Sequence, residues 1–149
     1  MSSHLATFVF LVLLTFHGSA LGQERSQIIE ANDLVQYALA EISVSSDCVQ
    51  LTVTLRHVGQ LPAHIMGHNW VLTDTPDYMP VVANAQAMGP PNYLLKNDSR
   101  IIGATDMIGG GQESSVTFDI SGLQRGDNYT YSCSFPGHNI PMNGKLIVD

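Results

Sequence analysis

Four side chains of this sequence carry metal-binding atoms at spacings typical of a metal site. Near the end of the chain, Cys133, His138 and Met142 follow the pattern C-x4-H-x3-M, and His68 stands 65 residues before Cys133. Two imidazoles, a thiolate and a thioether form the ligand set of copper sites that transfer single electrons. Sulfur favours Cu(I) and imidazole suits both oxidation states, so this set indicates movement of one electron without conversion of a substrate.

Each of these residues has an ordinary explanation when it is taken alone. A single cysteine near a strand end is commonly a small buried apolar residue, and a single histidine in a loop is commonly hydrogen-bonded or solvated. Pro136 and Gly137 favour a tight turn that would return Cys133 and His138 to one point. Zinc is the main alternative metal, but methionine is a poor zinc ligand, so Met142 favours copper.

An apolar run at the start of the chain is typical of a secretory signal peptide. Leu5 to Phe16 is too short to span a bilayer comfortably, and the segment 18–22 that follows has small residues at two possible cleavage points. No Lys or Arg precedes the run, so a retained anchor is the alternative. We expect cleavage after Gly22, or after Ala20, which leaves a single exported domain of residues 23–149.

Charge and cysteine content narrow the possible functions. Thirteen acidic and six basic residues give a net charge of −7, which argues against nucleic acid or an anionic membrane as a partner. Two cysteines in an exported protein form a disulfide by default. A Cys48–Cys133 bridge would abolish the metal site. The residues around Cys133 instead favour two thiols with separate roles that are not bonded to each other.

Short strands separated by turn residues predict an all-β fold. β-branched and apolar residues mark five of these strands. They are 48–55, 69–72, 114–120, 129–133 and 144–148. The segment from Asp77 to Gly89 is the one predicted helix, with Asp77 as its cap, Pro80 in its first turn and Gly89 at its end. This pattern indicates a Greek-key β-sandwich with one short helix.

At these residues the chain resembles the azurins, a group within the cupredoxin family of small blue-copper proteins, over nearly all of the mature part. The shared segments are LP at 61–62, MGHNWVL at 66–72, DSR at 98–100, SVTFD at 115–119 and CxFPGH at 133–138. Other small blue-copper families place fewer residues between the cysteine and the second histidine. The resemblance implies a cupredoxin-like sandwich that holds one copper ion per chain.

The same resemblance implies a role for each candidate ligand. His68, Cys133 and His138 would bind copper strongly in one plane. Met142 would be a long axial ligand, and the carbonyl oxygen of Gly67 would approach from the opposite side, where glycine suits a close backbone approach.

Three further residues match family positions near the site. Asn69 would tie the two ligand-bearing loops together and hydrogen-bond the Cys133 sulfur, with an ordinary turn residue as the alternative. His57 lies at a position where protonation can couple to the redox potential, and a plain solvated or core histidine is the alternative. Trp70 would be a core residue.

An apolar docking patch is also implied around the exposed edge of His138, through which electrons would leave. Its residues are Leu61, Ile65, Met66, Phe135, Gly137, Ile140 and Pro141. Loop packing is the alternative role for these residues. The resemblance implies a periplasmic monomer that exchanges electrons with redox proteins, such as c-type cytochromes or a copper or haem reductase.

Two positions depart from the family pattern. The family bridges the counterpart of Cys48 to a cysteine near the mature N-terminus, where this chain has Arg25, so we expect Cys48 to be a free thiol. Val35 stands where the family's apolar patch usually has a methionine, which would alter the choice of partner.

Two other function classes compete with an electron carrier. A copper oxidase or reductase needs further copper ligands, usually in His-x-His or His-Cys-His pairs, and the remaining mature histidines, His57 and His64, form no such pair. We therefore do not expect an enzyme. Binding and delivery of copper or zinc is the second alternative. An electron carrier would differ from a delivery protein by an intense, reversible blue Cu(II) form.

Overall fold

The computed structural model describes residues 23–95 and 97–149, and the predicted signal peptide lies outside them. Nine strands are found in this part of the chain. They are β1 (Gln23–Asn32), β2 (Gln36–Tyr37), β3 (Glu41–Val44), β4 (Cys48–His57), β5 (Val71–Asp74), β6 (Ile101–Ala104), β7 (Glu113–Asp119), β8 (Tyr129–Ser132) and β9 (Asn143–Val148). The helices are α1 (Ala63–Met66) and α2 (Tyr78–Met88), and a 3-10 turn spans Thr75–Asp77.

The strands form two sheets with the orders β2-β1-β4-β7 and β3-β9-β8-β5-β6. The β1–β4 and β3–β9 pairs are parallel, and the remaining pairs are antiparallel. Each sheet therefore mixes strands that are distant in sequence. The prediction of an all-β sandwich is confirmed.

Alternation along β4 shows how the sequence builds the core. Leu51, Val53 and Leu55 are completely buried, because successive side chains of a strand point to opposite faces. On the other face, the hydroxyl of Thr52 lies 2.8 Å from that of Thr117 on β7.

Trp70 is the largest side chain of the core. It is completely buried, and its ring centroid lies 5.9 Å from that of Phe118 and 5.6 Å from that of Tyr131. These tilted contacts join residues of both sheets. The predicted core role of Trp70 is confirmed.

The predicted helix is α2, and its two ends are formed differently. Asp77 occupies the position before its first residue but makes no side-chain capping hydrogen bond. Gly89 ends the helix with φ of 71°, a left-handed conformation that glycine adopts without strain. α1 has only one turn, which is too short to show helical periodicity in the sequence. No helix among the described residues is long and apolar enough to cross a membrane.

Strand pairing brings two chain segments to one end of the second sheet. β5 begins at Val71, and β8 ends at Ser132, which is the pairing partner of Val71. The predicted strand at 69–72 starts later than expected, because the backbone of its first two residues bonds to side chains outside the ladder. The N–H of Trp70 donates to Thr105 Oγ1, and the carbonyl of Asn69 accepts from the hydroxyl of Tyr37. The residues before β5 and those after β8 consequently lie close together.

Candidate metal centre

Three of the predicted ligands meet in one buried cluster. Ligand atoms of His68, Cys133 and His138 all lie within 4.8 Å of one another. His68 and Cys133 are 0% exposed, and His138 is 7% exposed. Bonds of about 2.0–2.3 Å from a metal ion to nitrogen and sulfur are compatible with these separations. The fold therefore brings His68 close to the other two, although it is distant from them in sequence.

His68 is oriented by its backbone and by one of its ring nitrogens. Its N–H donates to the carbonyl of Ile108 at 3.0 Å, and Ile108 donates back at 2.8 Å. Nε2 donates to the carbonyl of Asn32 at 2.9 Å, and burial lowers the pKa of His68 to about 4. The ring is thus neutral at pH 7, with its proton on Nε2.

The other ring nitrogen of His68 is the strongest sign of a metal site. Nδ1 is buried and has no hydrogen-bond partner among the described residues. A buried acceptor without a partner is costly, and such atoms are rare unless an ion or a water uses them. Because Nε2 is bonded to Asn32, Nδ1 is the nitrogen of His68 that is free to bind an ion together with Cys133 and His138. The residues present therefore fit a bound soft or borderline cation.

Cys133 and His138 lie on the loop that connects β8 to β9. The N–H of Cys133 donates to the carbonyl of Met142 at 3.1 Å, and the N–H of Met142 donates to the carbonyl of His138 at 2.8 Å. Gly137 has φ of 80°, which suits glycine and reverses the chain just before His138. As a result, Cys133 Sγ lies 3.8 Å from His138 Nδ1.

Burial keeps these donors uncharged until a cation arrives. It raises the pKa of the Cys133 thiol to about 11, although hydrogen bonds from the backbone amides of Asn69 and Phe135 lower that pKa. Burial also lowers the pKa of His138. A bound cation would displace the thiol proton and convert the sulfur to a thiolate ligand.

The two predicted weak ligands are joined to the cluster through backbone groups: Gly67 by its carbonyl, and Met142 by its hydrogen bonds with Cys133 and His138. The carbonyl oxygen of Gly67 is 3.8 Å from Cys133 Sγ. A side chain at this position would clash with the carbonyl of Ala63 and would lie 2.8 Å from Met107 Sδ, so glycine is required. Met142 is completely buried and directly precedes β9.

Asn69 joins the two ligand-bearing segments, as the resemblance implied. Its Oδ1 accepts a hydrogen bond from the N–H of Ser134 at 2.9 Å, and its Nδ2 donates to Ser134 Oγ at 2.8 Å. Ser134 Oγ donates in turn to the carbonyl of Tyr93 at 2.5 Å. The sequence did not single out Ser134 or Tyr93, because such loop residues follow no periodic pattern.

His57 is a core residue in contact with a candidate ligand. It is 1% exposed, and its ring stacks on His68 with a centroid separation of 4.5 Å. Nδ1 accepts from the N–H of Gly59, and Nε2 donates to the carbonyl of Met66, both at 3.0 Å. A solvated side chain is therefore excluded, and the coupling of His57 to the redox potential stays a prediction.

Apolar side chains near the ligand segments are exposed, as a docking patch requires. Leu61, Ile65 and Ile140 are 38%, 53% and 70% exposed. Phe135 is only partly exposed, and its ring packs on His138 with a centroid separation of 4.5 Å. Phe135 therefore also serves the loop packing that was the alternative role.

The two departures from the family pattern concern the partner of Cys48 on β1 and the turn residue Val35 between β1 and β2. Cys48 and Cys133 are both free thiols, which agrees with separate fates for them. The β1–β4 register places Gln23 opposite Cys48, and Arg25 opposite Leu51. Val35 has φ of 59°, an unusual conformation for a β-branched residue.

A β-sandwich that buries two imidazoles and one thiol around a common point defines a small copper-binding electron-transfer protein. Comparisons with known proteins agree with this class. The family profile for copper binding proteins of the plastocyanin/azurin family matches residues 24–149, and the chain belongs to this family.

Relatives in the family are similar to this chain over most of its length. An azurin of Bordetella pertussis is 44% identical over 140 residues, which cover 93% of both chains. Azurin-1 of Alcaligenes xylosoxydans xylosoxydans is 48% identical over 128 residues, or 85% of this chain and 99% of that one. An azurin of Pseudomonas aeruginosa is 44% identical over 129 residues, with 86% and 87% covered.

Family and site together establish the cofactor and the general function. The cluster of His68, Cys133 and His138 fits one copper ion per chain. This protein is a type 1 copper electron carrier.

Proposed function

We propose that this protein moves single electrons between redox proteins and converts no substrate. The observation that carries the proposal is the buried cluster of His68, Cys133 and His138, in which His68 Nδ1 has no partner. These three residues would hold copper strongly, and Met142 with the Gly67 carbonyl would interact with it weakly. Bound copper supplies a centre that is stable as both Cu(II) and Cu(I).

The surrounding residues would restrain the donors during the change of oxidation state. His68 is fixed through Asn32 and Ile108, and the loop that carries Cys133 is fixed through Asn69. A site whose donors are held in place by packing and hydrogen bonds relaxes little when its charge changes, which favours rapid electron transfer.

Burial supports a carrier over an enzyme. His68 and Cys133 are inaccessible, and His138 exposes only a small edge, so a substrate has no open route to the metal. Among residues 23–95 and 97–149, no second group of three histidine, cysteine or carboxylate donors accompanies this cluster. An electron can still pass through the His138 ring to a partner at the surface.

The docking patch and the leader suggest where and with what the protein works. Exposed Leu61, Ile65 and Ile140 provide apolar surface near the ligand-bearing segments. With the predicted signal peptide at 1–22, they support a periplasmic monomer that meets c-type cytochromes or a copper or haem reductase. The ligand roles of Gly67 and Met142 and the domain bounds 23–149 belong to the same proposal.

A visible absorption spectrum of the copper-loaded protein tests this function. We expect an intense thiolate-to-Cu(II) band that bleaches reversibly on reduction, is absent from Cys133→Ser and is retained by the matched control Cys48→Ser. An unchanged band in Cys133→Ser would overturn the ligand assignment. Tight Cu(I) binding without a stable blue Cu(II) form would instead indicate copper delivery, and copper-dependent turnover of a substrate would indicate an enzyme.

A further inference from the structure

The first residue of α2 reaches the copper loop through its phenol. Tyr78 Oη donates a hydrogen bond to the carbonyl of Asn139 at 2.6 Å, across 61 positions of the chain. Asn139 directly follows His138 and is only 6% exposed. This bond lies outside every motif that identified the ligands, and it connects a helix to the segment between two of them.

A second donor reaches the same carbonyl from the start of β9. Asn143 Nδ2 lies 3.1 Å from the Asn139 carbonyl and 2.8 Å from the Ile140 carbonyl. A carbonyl oxygen has two acceptor positions, so Tyr78 and Asn143 together satisfy it. Asn139 Nδ2 also lies 3.8 Å from Met79 Sδ, a weak contact that again leads to the start of α2.

The two exposed residues in the middle of this loop, Ile140 and Pro141, have little else to hold them. Ile140 is 70% exposed, Pro141 is exposed and has no N–H to donate, and Met142 donates back to His138 at 2.8 Å. Loop backbone with exposed side chains and few hydrogen bonds opens easily. The middle of the loop is therefore held mainly through the Asn139 carbonyl, where Tyr78 and Asn143 meet, and through the bond of Asn143 to the Ile140 carbonyl.

We propose that Tyr78 and Asn143 are positioning residues of the copper site, which act through the Asn139 carbonyl to keep His138 and Met142 at a constant separation. This inference rests on the proposed function, since a fixed loop matters most to a site that changes oxidation state. Neither side chain touches the metal position. Their effect is to limit how far the loop relaxes when the charge at the site changes.

The first test measures amide hydrogen exchange in the metal-free protein, where copper cannot influence the result. Tyr78→Phe keeps the ring and removes only the hydroxyl. We expect the Met142 amide to exchange about fivefold faster, as the loss of one net hydrogen bond predicts. The Ile120 amide, which donates to Val49 at 2.9 Å in a distant part of the sandwich, should not change.

A matched control removes a phenol that does not touch the loop. Tyr129 Oη accepts from the N–H of Gln124 at 3.0 Å and lies 3.3 Å from Asp127. Tyr129→Phe should therefore leave the exchange of Met142 relative to Ile120 unchanged. An equal acceleration of Met142 and Ile120 in Tyr78→Phe would show a merely structural role and overturn the proposal, as would no acceleration.

A second variant tests whether the two donors share one anchor. Asn143→Ala should also accelerate the Met142 amide, partly through its lost bond to the Ile140 carbonyl. The combined effect of Tyr78→Phe and Asn143→Ala should fall short of the sum of the two, because each variant removes a bond to the Asn139 oxygen. Simple additivity would overturn the shared anchor.

In the copper-loaded protein, we expect Tyr78→Phe to slow electron self-exchange severalfold while the visible band keeps its wavelength. An unchanged self-exchange rate would overturn the positioning role in electron transfer. If the proposed function were wrong, the copper-loaded parent protein would lack the blue band. The hydrogen-exchange result in the metal-free protein does not depend on that outcome.

Discussion

Asn69 and Ser134 are joined by two hydrogen bonds across 65 positions of the chain, and both residues are completely buried. These bonds link the segment that carries His68 to the loop that carries Cys133. Removing the amide in Asn69→Ala would leave the N–H of Ser134 without its partner.

We expect Asn69→Ala to lower the free energy of unfolding of the metal-free protein by about 2–3 kcal/mol, since two buried hydrogen bonds are lost. Chemical denaturation measures this change. Asn84→Ala, at an exposed position of α2, is the control and should not destabilise, because alanine is the better helix former. Equal stability of Asn69→Ala and the parent would contradict the linking role.

Met142→Leu tests the proposed role of Met142 as a weak axial ligand. The Met142 side chain is completely buried, and its replacement by leucine, which has a similar volume, should cost less than about 1.5 kcal/mol of stability. We expect the variant to stay blue and to become easier to reduce, because a donor that stabilises Cu(II) is gone. Voltammetry of the two proteins measures the potential. An unchanged or lower potential in the variant would show that Met142 is not axial.

Ile140→Glu tests the docking patch. Ile140 is 70% exposed and lies two residues after His138, so a carboxylate there would repel a second copy and would need desolvation on contact. We expect slower self-exchange with little change in the spectrum. Ile28→Glu adds the same charge at a 51% exposed position of β1 and is the control. Equal slowing by both variants would show an effect of net charge alone.

Thiol counting tests the fate of Cys48. Both cysteines are free and buried, so the metal-free, denatured and unreduced protein should give two thiols per chain, and Cys48→Ser should give one. The absent bridge would ordinarily contribute about 2–5 kcal/mol to a small exported domain, and bound copper offsets part of that loss by favouring the folded state. A count of zero in a monomer would mean a Cys48–Cys133 bridge.

The Asp98–Arg100 pair predicts a pH dependence of stability. Arg100 donates to both carboxylate oxygens of Asp98, at 2.8 and 2.6 Å, and these hydrogen bonds hold the pKa of Asp98 below its ordinary value of 3.8. A lowered folded-state pKa contributes stability above the unfolded pKa, and that stability is lost as the pH falls through the folded one.

Asp98→Asn should therefore destabilise the protein at pH 7, and the difference from the parent should shrink as the pH falls below about 4. Denaturation at a series of pH values measures this. Glu113→Gln breaks the exposed pair with Arg56, whose side chain is 45% exposed, and should change stability by less than about 1 kcal/mol. A difference for Asp98→Asn that is independent of pH would contradict the account.

Much of the fold and part of the site could be predicted from short-range patterns. Alternation along β4 marked a strand with one buried face, and the turn residues between apolar runs indicated a sandwich. Strand edges and the one-turn α1 were harder to predict, because they depend on partners that are distant in sequence. The backbone groups of Asn69 and Trp70, for example, leave the ladder to bond the side chains of Tyr37 and Thr105.

The types of the available donors and the spacing of three of them can be read from the sequence, since Cys133, His138 and Met142 share one short loop. That His68 joins them depends on the fold, because it requires the pairing of β5 with β8. Tertiary contacts also decided which nitrogen of His68 is left free, since the other donates to Asn32. The contact of Tyr78 with the loop has the same origin: hydrogen-bond geometry between residues far apart in sequence depends on the whole fold and has no local pattern.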